Sequence, residues 1–307
     1  MTIVTGVTVR VPAKLNLQLA VGPPRADGYH DLVTVFHAVS LFDEITAEPA
    51  RRDGVSVSGE GADRVPADED NLALRAVSAL RAEVPSAPGV HITIAKRIPV
   101  AAGLAGGSGD AAAALVACNE LWAGGFGPPQ LAEIAARVGS DVAFALLGGT
   151  AVGRGRGEHL TPALAPATQY HWVLAFADGH LSTPEVYAAL DRQRAREQVP
   201  AEPGLDPALM SALRSGDARL VGRALSNDLQ PAALSLFPAL RKTLAAGLEL
   251  GALGALVSGS GPTCVFLAAS ADRALDLAAS LSGAGVCRSV ARASGPAPGA
   301  AIISGAR

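Results

Sequence analysis

The feature that most constrains the fold is a glycine-rich segment at residues 99–115, which reads PVAAGLAGGSGDAAAAL. Before it, apolar residues alternate over positions 90–94 and predict a strand. After it, apolar residues recur on one helical face from Ala111 to Trp122. Glycines let backbone amides approach an anion closely, and the following helix directs its unpaired N–H groups into the same loop. A strand, a phosphate-binding loop and a helix are therefore predicted in this order.

The glycine segment departs from the two commonest nucleotide-binding motifs. No lysine follows a glycine as the P-loop requires, and the G-x-G-x-x-G register after a strand is not met. The alternative interpretation is an alanine- and glycine-rich helix start that only packs tightly. The segment alone does not decide between the two.

A second candidate site lies near the N terminus, in PAKLNL at residues 12–17 and RADGYH at residues 25–30. Alternation from Val7 to Val21, broken at residues 12–13, predicts two half-buried strands whose opposite face carries Lys14, Asn16 and Gln18. Lysine occurs only at positions 14, 96 and 242 in this chain, so each is a candidate for a role that needs an amine. A solvated strand face followed by an ordinary turn is the alternative.

Two shorter motifs complete the candidates. Asp141 follows Gly139-Ser140 at a predicted helix start, where the helix dipole would hold a carboxylate ionised. A simple helix cap is the alternative. Residues 257–264, VSGSGPTC, form a glycine and serine turn between two strands, for which a tight hairpin is the alternative reading.

The remaining pattern predicts an α+β protein in which strands and helices pair on an antiparallel sheet. A break in composition near residue 162 indicates two domains, 1–161 and 162–307, with a loose tail after residue 295. Residues 51–61 are predicted as a hairpin region, and a helix is expected to begin at Asp70-Asn71. Further helices are predicted at residues 130–138, 183–196, 207–213, 217–225, 237–250 and 272–281.

Composition excludes several classes of protein. The chain has 25 basic and 28 acidic residues and no arginine block, so nucleic acid is not an expected partner. We expect no membrane span, because glycines and Pro262 interrupt the longest uncharged run, and the N terminus is unlike a secretory signal. Three cysteines without C-x-x-C spacing argue against disulfides and a zinc site, and indicate a cytoplasmic protein.

The four motifs, in this order along the chain, resemble the GHMP small-molecule kinases. Within them, PAKLNL, RADGYH, GLAGGSGDAA and GSDVAFALLGGTAVGRGRGE are similar to the branch that phosphorylates a cytidine-diphosphate-linked methylerythritol in the non-mevalonate isoprenoid pathway. The resemblance implies an N-terminal domain of ribosomal-protein-S5-like type and a ferredoxin-like C-terminal domain. It also implies ATP-dependent phosphorylation of the 2-hydroxyl of that small-molecule substrate in the intervening cleft.

The resemblance also assigns residues to the site, by their positions in the matching motifs. Lys14 and Asp141 match the family's catalytic pair. Those implied in substrate binding are Asn16, Tyr29, His30, Thr183 and Tyr187, with Tyr187 stacking on the cytosine. Those implied in ATP binding are Asn71, Lys96, Pro99, Gly103, Leu104, Ala105, Gly106, Gly107, Ser108, Gly109, Asp110, Gly259, Ser260 and Gly261.

The resemblance further implies Mg²⁺ and a monomer or weak homodimer. Gly109 departs from the family pattern, which commonly has a second serine there, so the Mg²⁺ ligands remain unassigned. Another GHMP member, such as homoserine kinase, mevalonate kinase or the related decarboxylase, would leave Tyr29, His30 and Tyr187 unexplained. A nucleotide-binding sensor without transfer activity would be expected to lack Lys14 or Asp141, yet both are present. Whether Asp141 is a base or only orients the hydroxyl stays open.

Overall fold

The computed structural model describes residues 6–164, 166, 168–195 and 202–305. The strands are β1 Val7–Pro24, β2 His30–Ala50, β3 Gly54–Gly59, β4 Gly89–Lys96, β5 Thr150–Gly155, β6 His159–Pro162, β7 Tyr170–Phe176, β8 Ser226–Asn227, β9 Gly254–Val257, β10 Cys264–Ala268, β11 Ser289–Gly295 and β12 Ala301–Gly305. The helices are α1 Leu72–Arg81, α2 Gly106–Leu121, α3 Pro128–Val138, α4 Ser140–Leu147, α5 Thr183–Arg194, α6 Pro207–Ser215, α7 Ala218–Arg223, α8 Gln230–Leu236, α9 Ala239–Glu249 and α10 Ala271–Gly283.

The first sheet has eight strands, with the order β12-β1-β2-β4-β3 and with β5, β6 and β8 attached beside this path. Its two long strands, β1 and β2, pair antiparallel along most of their length. Helices α1 to α4 bury their apolar faces against it, in a core that alternating valines and isoleucines of the strands share with the alanines of α2. Small side chains let α2 approach the sheet closely, which places the glycine segment at the sheet's edge.

The predicted break at residues 12–13 is a shift of register inside one continuous strand. The expectation of two half-buried strands was therefore wrong. The alternative of a solvated strand face is also wrong, because Lys14, Asn16 and Gln18 are all buried. The strand is covered on both sides, so its polar side chains face the interior of the molecule rather than water.

The second sheet has four antiparallel strands in the order β11-β7-β10-β9. One face packs against α5, α8, α9 and α10. The other face shares a core with α6, α7 and the middle of β1, where Leu15 and Leu17 belong to the same cluster as Trp172 and Leu174. This arrangement confirms the predicted α+β class, and it packs the two sheets against one another.

Three local predictions were wrong. Residues 51–61 form no hairpin, because β3 pairs in parallel with β4, from Gly54 opposite His91 to Gly59 opposite Lys96. Helix α8 was not predicted. The expectation of a loose tail after residue 295 is wrong for the described residues up to 305, because β12 pairs antiparallel with β1. The boundary at residues 161/162 stays a prediction; it falls at the end of β6, while β8 and β12 return to the first sheet.

Candidate active site

A cavity of about 1320 Å³ lies between the glycine segment, the middle of β1, the start of β2 and helix α5. It brings together nearly all of the residues that the sequence assigned to the site, from both halves of the chain. Two of them do not line it. Leu104 is buried in the core with its carbonyl accepting a hydrogen bond from the Lys14 backbone N–H (3.2 Å), and Gly109 lies inside α2 against Val11. Their contribution is to the shape of the loop.

The glycine segment has the geometry of an anion site. It leaves β4 at Lys96, takes left-handed φ values at Ala101, Gly103 and Ala105, and enters α2 at Gly106. The N–H groups of the first helical turn have no intrahelical acceptor and lie at the positive end of the dipole. A phosphate group is the ligand that such a loop and helix start favour.

The predicted catalytic pair meets in this cavity. The Nζ of Lys14 lies 3.8 Å from Oδ2 of Asp141, whose side chain is 29% exposed in the first turn of α4. The ammonium group also donates a hydrogen bond to Oδ1 of Asn16 (2.7 Å). The ammonium group of Lys14 is buried, and its contact with the Asp141 carboxylate is long. A third charged group placed between the two side chains can therefore interact with both.

A buried network holds Asn16 in place. Its amide donates to the hydroxyl of Thr34 (2.8 Å), which in turn donates to the backbone carbonyl of Gln18 (2.7 Å). The network therefore fixes the rotamer of Asn16 and, through it, the position of the Lys14 ammonium group. Sequence reasoning missed Thr34, because its partners lie on a neighbouring strand.

The two glycine-rich segments contact each other. The hydroxyl of Ser258 donates to the carbonyl of Gly103 (3.1 Å). A Cβ added at Gly259 would lie 3.5 Å from Nζ of Lys14, so the later turn closes over this lysine. Asn227 secures that turn, because its amide donates to the carbonyls of Val257 and Gly259, each at 2.7 Å. Sequence reasoning missed Asn227, and no local motif marks it.

The aromatic part of the cavity contains Tyr29, His30 and Tyr187. The rings of His30 and Tyr187 contact each other, with centroids 5.0 Å apart and planes tilted by 36°. They therefore do not leave room for a base between them. Tyr29 is 55% exposed, and the Arg156 guanidinium lies 5.2 Å from its ring centroid. Burial raises the pKa of Tyr187, so its hydroxyl stays protonated.

Lys96 is not available as a free cation. Its Nζ donates to Oδ2 of Asp43 (2.5 Å) and to Oδ2 of Asp110 (2.7 Å), and all three side chains are almost fully buried. Burial alone would lower the pKa of Lys96, but attraction to the two carboxylates outweighs it and raises the pKa. Burial also raises the pKa of Asp110, and the nearby Asp43 acts in the same direction.

The buried cluster has a geometric effect on the loop. Oδ1 of Asp43 accepts hydrogen bonds from the backbone N–H groups of Arg97 (2.6 Å) and Ile98 (2.8 Å). The same carboxylate thus joins β2 to the start of the glycine segment, while Lys96 joins it to α2. Asn71 also lines the cavity and has a structural role. Its Oδ1 accepts a hydrogen bond from the Ala73 N–H (2.9 Å) and so caps the start of α1.

The residues described contain no group of three or more histidine, cysteine or acidic side chains that could hold a metal ion. No helix among the described residues is long and apolar enough to cross a membrane. The cavity presents the glycine segment, Lys14 with Asp141, the Lys96 cluster and an aromatic end, and Arg64, Arg137 and Arg156 also line it.

A glycine-rich helix start facing a lysine and aspartate pair, between two packed sheets, is typical of small-molecule kinases of the GHMP class. The family models agree: the GHMP kinases N-terminal domain matches residues 71–149 and the GHMP kinases C-terminal domain matches residues 209–287. A homoserine kinase from Cytophaga hutchinsonii, 20% identical, superposes over 99% of both chains with a TM-score of 0.76, which shows the shared fold.

More similar proteins narrow the class. A 4-diphosphocytidyl-2-C-methyl-D-erythritol kinase from Thermobifida fusca is 59% identical over 97% of this chain and 99% of its own length. One from Mycolicibacterium smegmatis is 58% identical over 97% and 92%. A crystal structure of 4-(cytidine 5'-diphospho)-2C-methyl-D-erythritol kinase, 35% identical, covers 93% of this chain and 98% of its own, with a TM-score of 0.75. The chain belongs to the family of 4-diphosphocytidyl-2-C-methyl-D-erythritol kinases.

Proposed function

We propose that this chain transfers the γ-phosphoryl group of ATP to the 2-hydroxyl of 4-diphosphocytidyl-2-C-methyl-D-erythritol, with Lys14 and Asp141 as the reacting pair. The observation that carries this assignment is their contact, 3.8 Å between Nζ and Oδ2, in the cavity that the phosphate loop also lines. Membership of the kinase family supports the reaction, and the geometry supports the residues.

Phosphoryl transfer requires alignment of a hydroxyl with the γ-phosphate and neutralisation of charge, with little covalent chemistry by the protein. Asp141 accepts the hydroxyl proton or orients the hydroxyl, since its carboxylate is accessible on the cavity wall. Lys14 stabilises the charge on the transferring group. Asn16 keeps the lysine in place through its 2.7 Å hydrogen bond.

The backbone of the glycine segment is the proposed anchor of the triphosphate. The N–H groups at the start of α2, from Gly106 to Ser108, face the cavity and suit the triphosphate. Lys96 is neutralised by two carboxylates, so we assign it to the shape of the loop. The turn at residues 259–261 closes the site from the other half of the chain.

Mg²⁺ fits this cavity as an ion that arrives with the nucleotide. Mg²⁺ is usually held by one or two carboxylates together with substrate phosphates, rather than by a cage of protein ligands. Ser108 and Asp141 supply a hydroxyl and a carboxylate on the cavity wall, and Gly109 supplies no second hydroxyl. When bound, the ion would neutralise charge on the phosphate groups.

The cytidine is assigned to the aromatic end, where Tyr29, His30 and Tyr187 line the cavity. The contact between His30 and Tyr187 means that a base cannot enter between them. We therefore place the base against the outer face of Tyr187, with Tyr29 as the candidate for its other face. Thr183 and Ser260, whose hydroxyls are 2.8 Å apart, lie at the start of α5 and at the later glycine turn.

The decisive experiment measures ADP release and the phosphorylated product with a panel of alcohols: the cytidyl substrate, homoserine and mevalonate. Asp141→Asn should lower kcat about 10²- to 10⁴-fold, the usual worth of general acid–base catalysis, while leaving ATP binding intact. Asp70→Asn is the matched control, because Asp70 is an exposed carboxylate on the wall of the same cavity. Near-normal turnover of Asp141→Asn would remove Asp141 from the mechanism, and turnover of homoserine or mevalonate in place of the cytidyl alcohol would reassign the substrate.

The same proposal includes a cytoplasmic protein that is a monomer or weak homodimer. The thiols support the compartment: Cys118 and Cys264 are buried, and burial raises the pKa of each to about 12, so neither is poised for disulfide exchange. Sedimentation of the full chain at several concentrations measures the assembly state directly. A concentration-independent oligomer larger than a dimer would contradict it.

A further inference from the structure

The turn at residues 156–158 joins β5 to β6 and brings an arginine to the cavity. The backbone N–H of Arg156 donates a hydrogen bond to Oε2 of Glu158 (2.5 Å). The next N–H group, that of Gly157, donates to the carbonyl of Arg154 (3.0 Å). The two bonds fix the path of the backbone at Arg156. This residue lines the cavity, whereas Arg154, which is also exposed, does not.

The turn contacts both the reacting end and the aromatic end of the cavity. A Cβ added at Gly157 would lie 3.9 Å from Cβ of Ser140, the residue before Asp141. The guanidinium group of Arg156 lies 5.2 Å from the centroid of the Tyr29 ring. A planar guanidinium stacks well on an aromatic face. Arg156 is therefore held between the two regions that the alcohol substrate has to span.

The guanidinium group of Arg156 is available for a ligand. Among the described residues its nearest carboxylate is that of Glu158, whose Oε1 lies 3.6 Å from Nε, which is longer than a hydrogen bond. A guanidinium has five N–H donors in a fixed, planar arrangement. The donors of Arg156 can therefore bind an anion without first breaking a short ion pair.

The other two arginines that line the cavity are placed differently. Arg137 donates a 2.7 Å hydrogen bond to Glu83, so its guanidinium already has a carboxylate partner. Arg64 lies beside Val100 of the glycine segment, because a Cβ built at Gly61 would be 2.9 Å from Nη2 of Arg64 and 3.1 Å from Val100. The arginine of the β5–β6 turn is thus the one that lies at the aromatic end.

We propose that Arg156 binds the diphosphate group of the alcohol substrate and thereby favours alcohols that carry a diphosphate. In that substrate the diphosphate joins the cytidine to the methylerythritol. With the base at the aromatic end and the reacting hydroxyl at Asp141, the diphosphate lies between Tyr29 and Asp141. Arginine donates paired hydrogen bonds to phosphate oxygens, and stacking on Tyr29 orients the guanidinium plane beforehand. This inference rests on the proposed function, since it needs the substrate in this orientation.

The test compares the cytidine-diphosphate-linked alcohol with its cytidine-monophosphate-linked analogue as substrates of the full chain. Arg156→Ala should raise the KM for the diphosphate substrate about 10- to 100-fold, the usual effect of losing hydrogen bonds to a charged group. The preference for the diphosphate should fall about tenfold or more, because the shorter linker cannot offer both phosphate groups to one guanidinium. The KM for ATP should stay within about twofold. Arg156→Lys keeps the charge but loses the paired hydrogen bonds, so its KM should fall between those of the wild type and Arg156→Ala.

Two further measurements separate a charge contact from a purely structural role. Added salt should raise the KM of the wild type for the diphosphate substrate more steeply than that of Arg156→Ala, because salt screens a contact that the variant lacks. Calorimetric titration with cytidine diphosphate, with the nucleotide site filled by a non-hydrolysable ATP analogue, measures binding without turnover. Arg154→Ala is the matched control, because Arg154 is an exposed arginine beside the same turn that does not line the cavity. It should leave every one of these values unchanged.

A thermal melt establishes that each variant is folded. If Arg156→Ala keeps the wild-type KM and preference for the diphosphate substrate, the inference is overturned. A rise in the KM for ATP in place of that for the alcohol would also overturn it, because it would assign Arg156 to the nucleotide. If the wild type releases no ADP with the cytidyl alcohol, the proposed function fails, and the calorimetric comparison still decides whether Arg156 binds the diphosphate.

Discussion

The contact between the two glycine segments predicts that Gly103→Ala damages both stability and nucleotide binding. Gly103 has φ +74°, and a Cβ built there would lie closer than 3.0 Å to the carbonyl oxygen of Ser258 and 3.1 Å from that of Gly261. Both obstacles are backbone atoms, which cannot rotate away. The substitution must therefore move one segment relative to the other.

The magnitude follows from two costs. Placing alanine in the left-handed region costs about 1–2 kcal/mol, and inserting a methyl group into a closed contact costs about 1–3 kcal/mol. The free energy of unfolding should therefore fall by about 2–5 kcal/mol. For a chain of this size each kcal/mol lowers Tm by about 2 °C, so Tm should fall by about 4–10 °C.

The assay is a thermal melt with and without an ATP analogue, together with the KM for ATP. The KM for ATP should rise about tenfold or more. The loop must move to relieve the strain, and each 1.4 kcal/mol of binding free energy lost in this way lowers the affinity about tenfold. Gly109→Ala is the matched control: its Cβ would meet Val11 at 3.4 Å, an ordinary contact, inside α2. It should be neutral or stabilising by about 1 kcal/mol. If Gly103→Ala melts within about 1 °C of the wild type, the closed contact does not exist as described.

Two further predictions concern the reacting groups and the base. Lys14→Arg should lose most of its kcat but keep ATP binding, since a planar guanidinium cannot take the place of a compact ammonium beside Asn16 and Asp141. Steady-state kinetics and a thermal melt with an ATP analogue measure the two effects. A retained kcat would show that Lys14 is dispensable for the reaction. Tyr187→Ala should weaken binding of the cytidyl alcohol by about 1–3 kcal/mol, the usual worth of stacking a base on an aromatic ring, with an unchanged KM for ATP. An effect on ATP alone would show that the cytidine lies elsewhere in the cavity.

Local patterns predicted what local interactions decide. The strand, loop and helix around residues 90–121 were confirmed, because alternation, glycines and helical periodicity all act within a few residues. The cap of α1 by Asn71 was confirmed for the same reason. The prediction of a hairpin at residues 51–61 was wrong, because the alternation of apolar and polar residues is the same in parallel and antiparallel strand pairs. The partner of β3 is β4, which lies more than thirty residues further along the chain.

Contacts between residues that lie far apart in the chain could not be predicted from local sequence patterns. Nothing near Lys96 in the chain shows that Asp43, 53 residues earlier, neutralises it. Nothing near the tail shows that β12 returns to β1. Asn227 was missed for this reason, since it donates hydrogen bonds to a turn that the fold brings close. The assignment of roles to the site residues stays a prediction that the variants above can check.

The distribution of charge explains why the two lysines of the cavity have different uses. Lys96 contacts two buried carboxylates at 2.5 and 2.7 Å, so its charge is already balanced before any ligand binds. Lys14 has an uncharged partner at 2.7 Å and its carboxylate only at 3.8 Å, so its charge is less compensated.

At an effective dielectric constant of about 20, attraction between unit charges about 4 Å apart is about 4 kcal/mol, before the cost of removing water from the charges is subtracted. An incoming phosphoryl group can therefore compete with Asp141 for Lys14 but not with the carboxylates of Lys96. Under the proposed assignment, nucleotide affinity would come from the loop amides that Lys96 and Asp43 hold in place, whereas the response to charge in the transition state would come from Lys14. It follows that removing the Lys14 charge should lower kcat much more than it raises the KM for ATP.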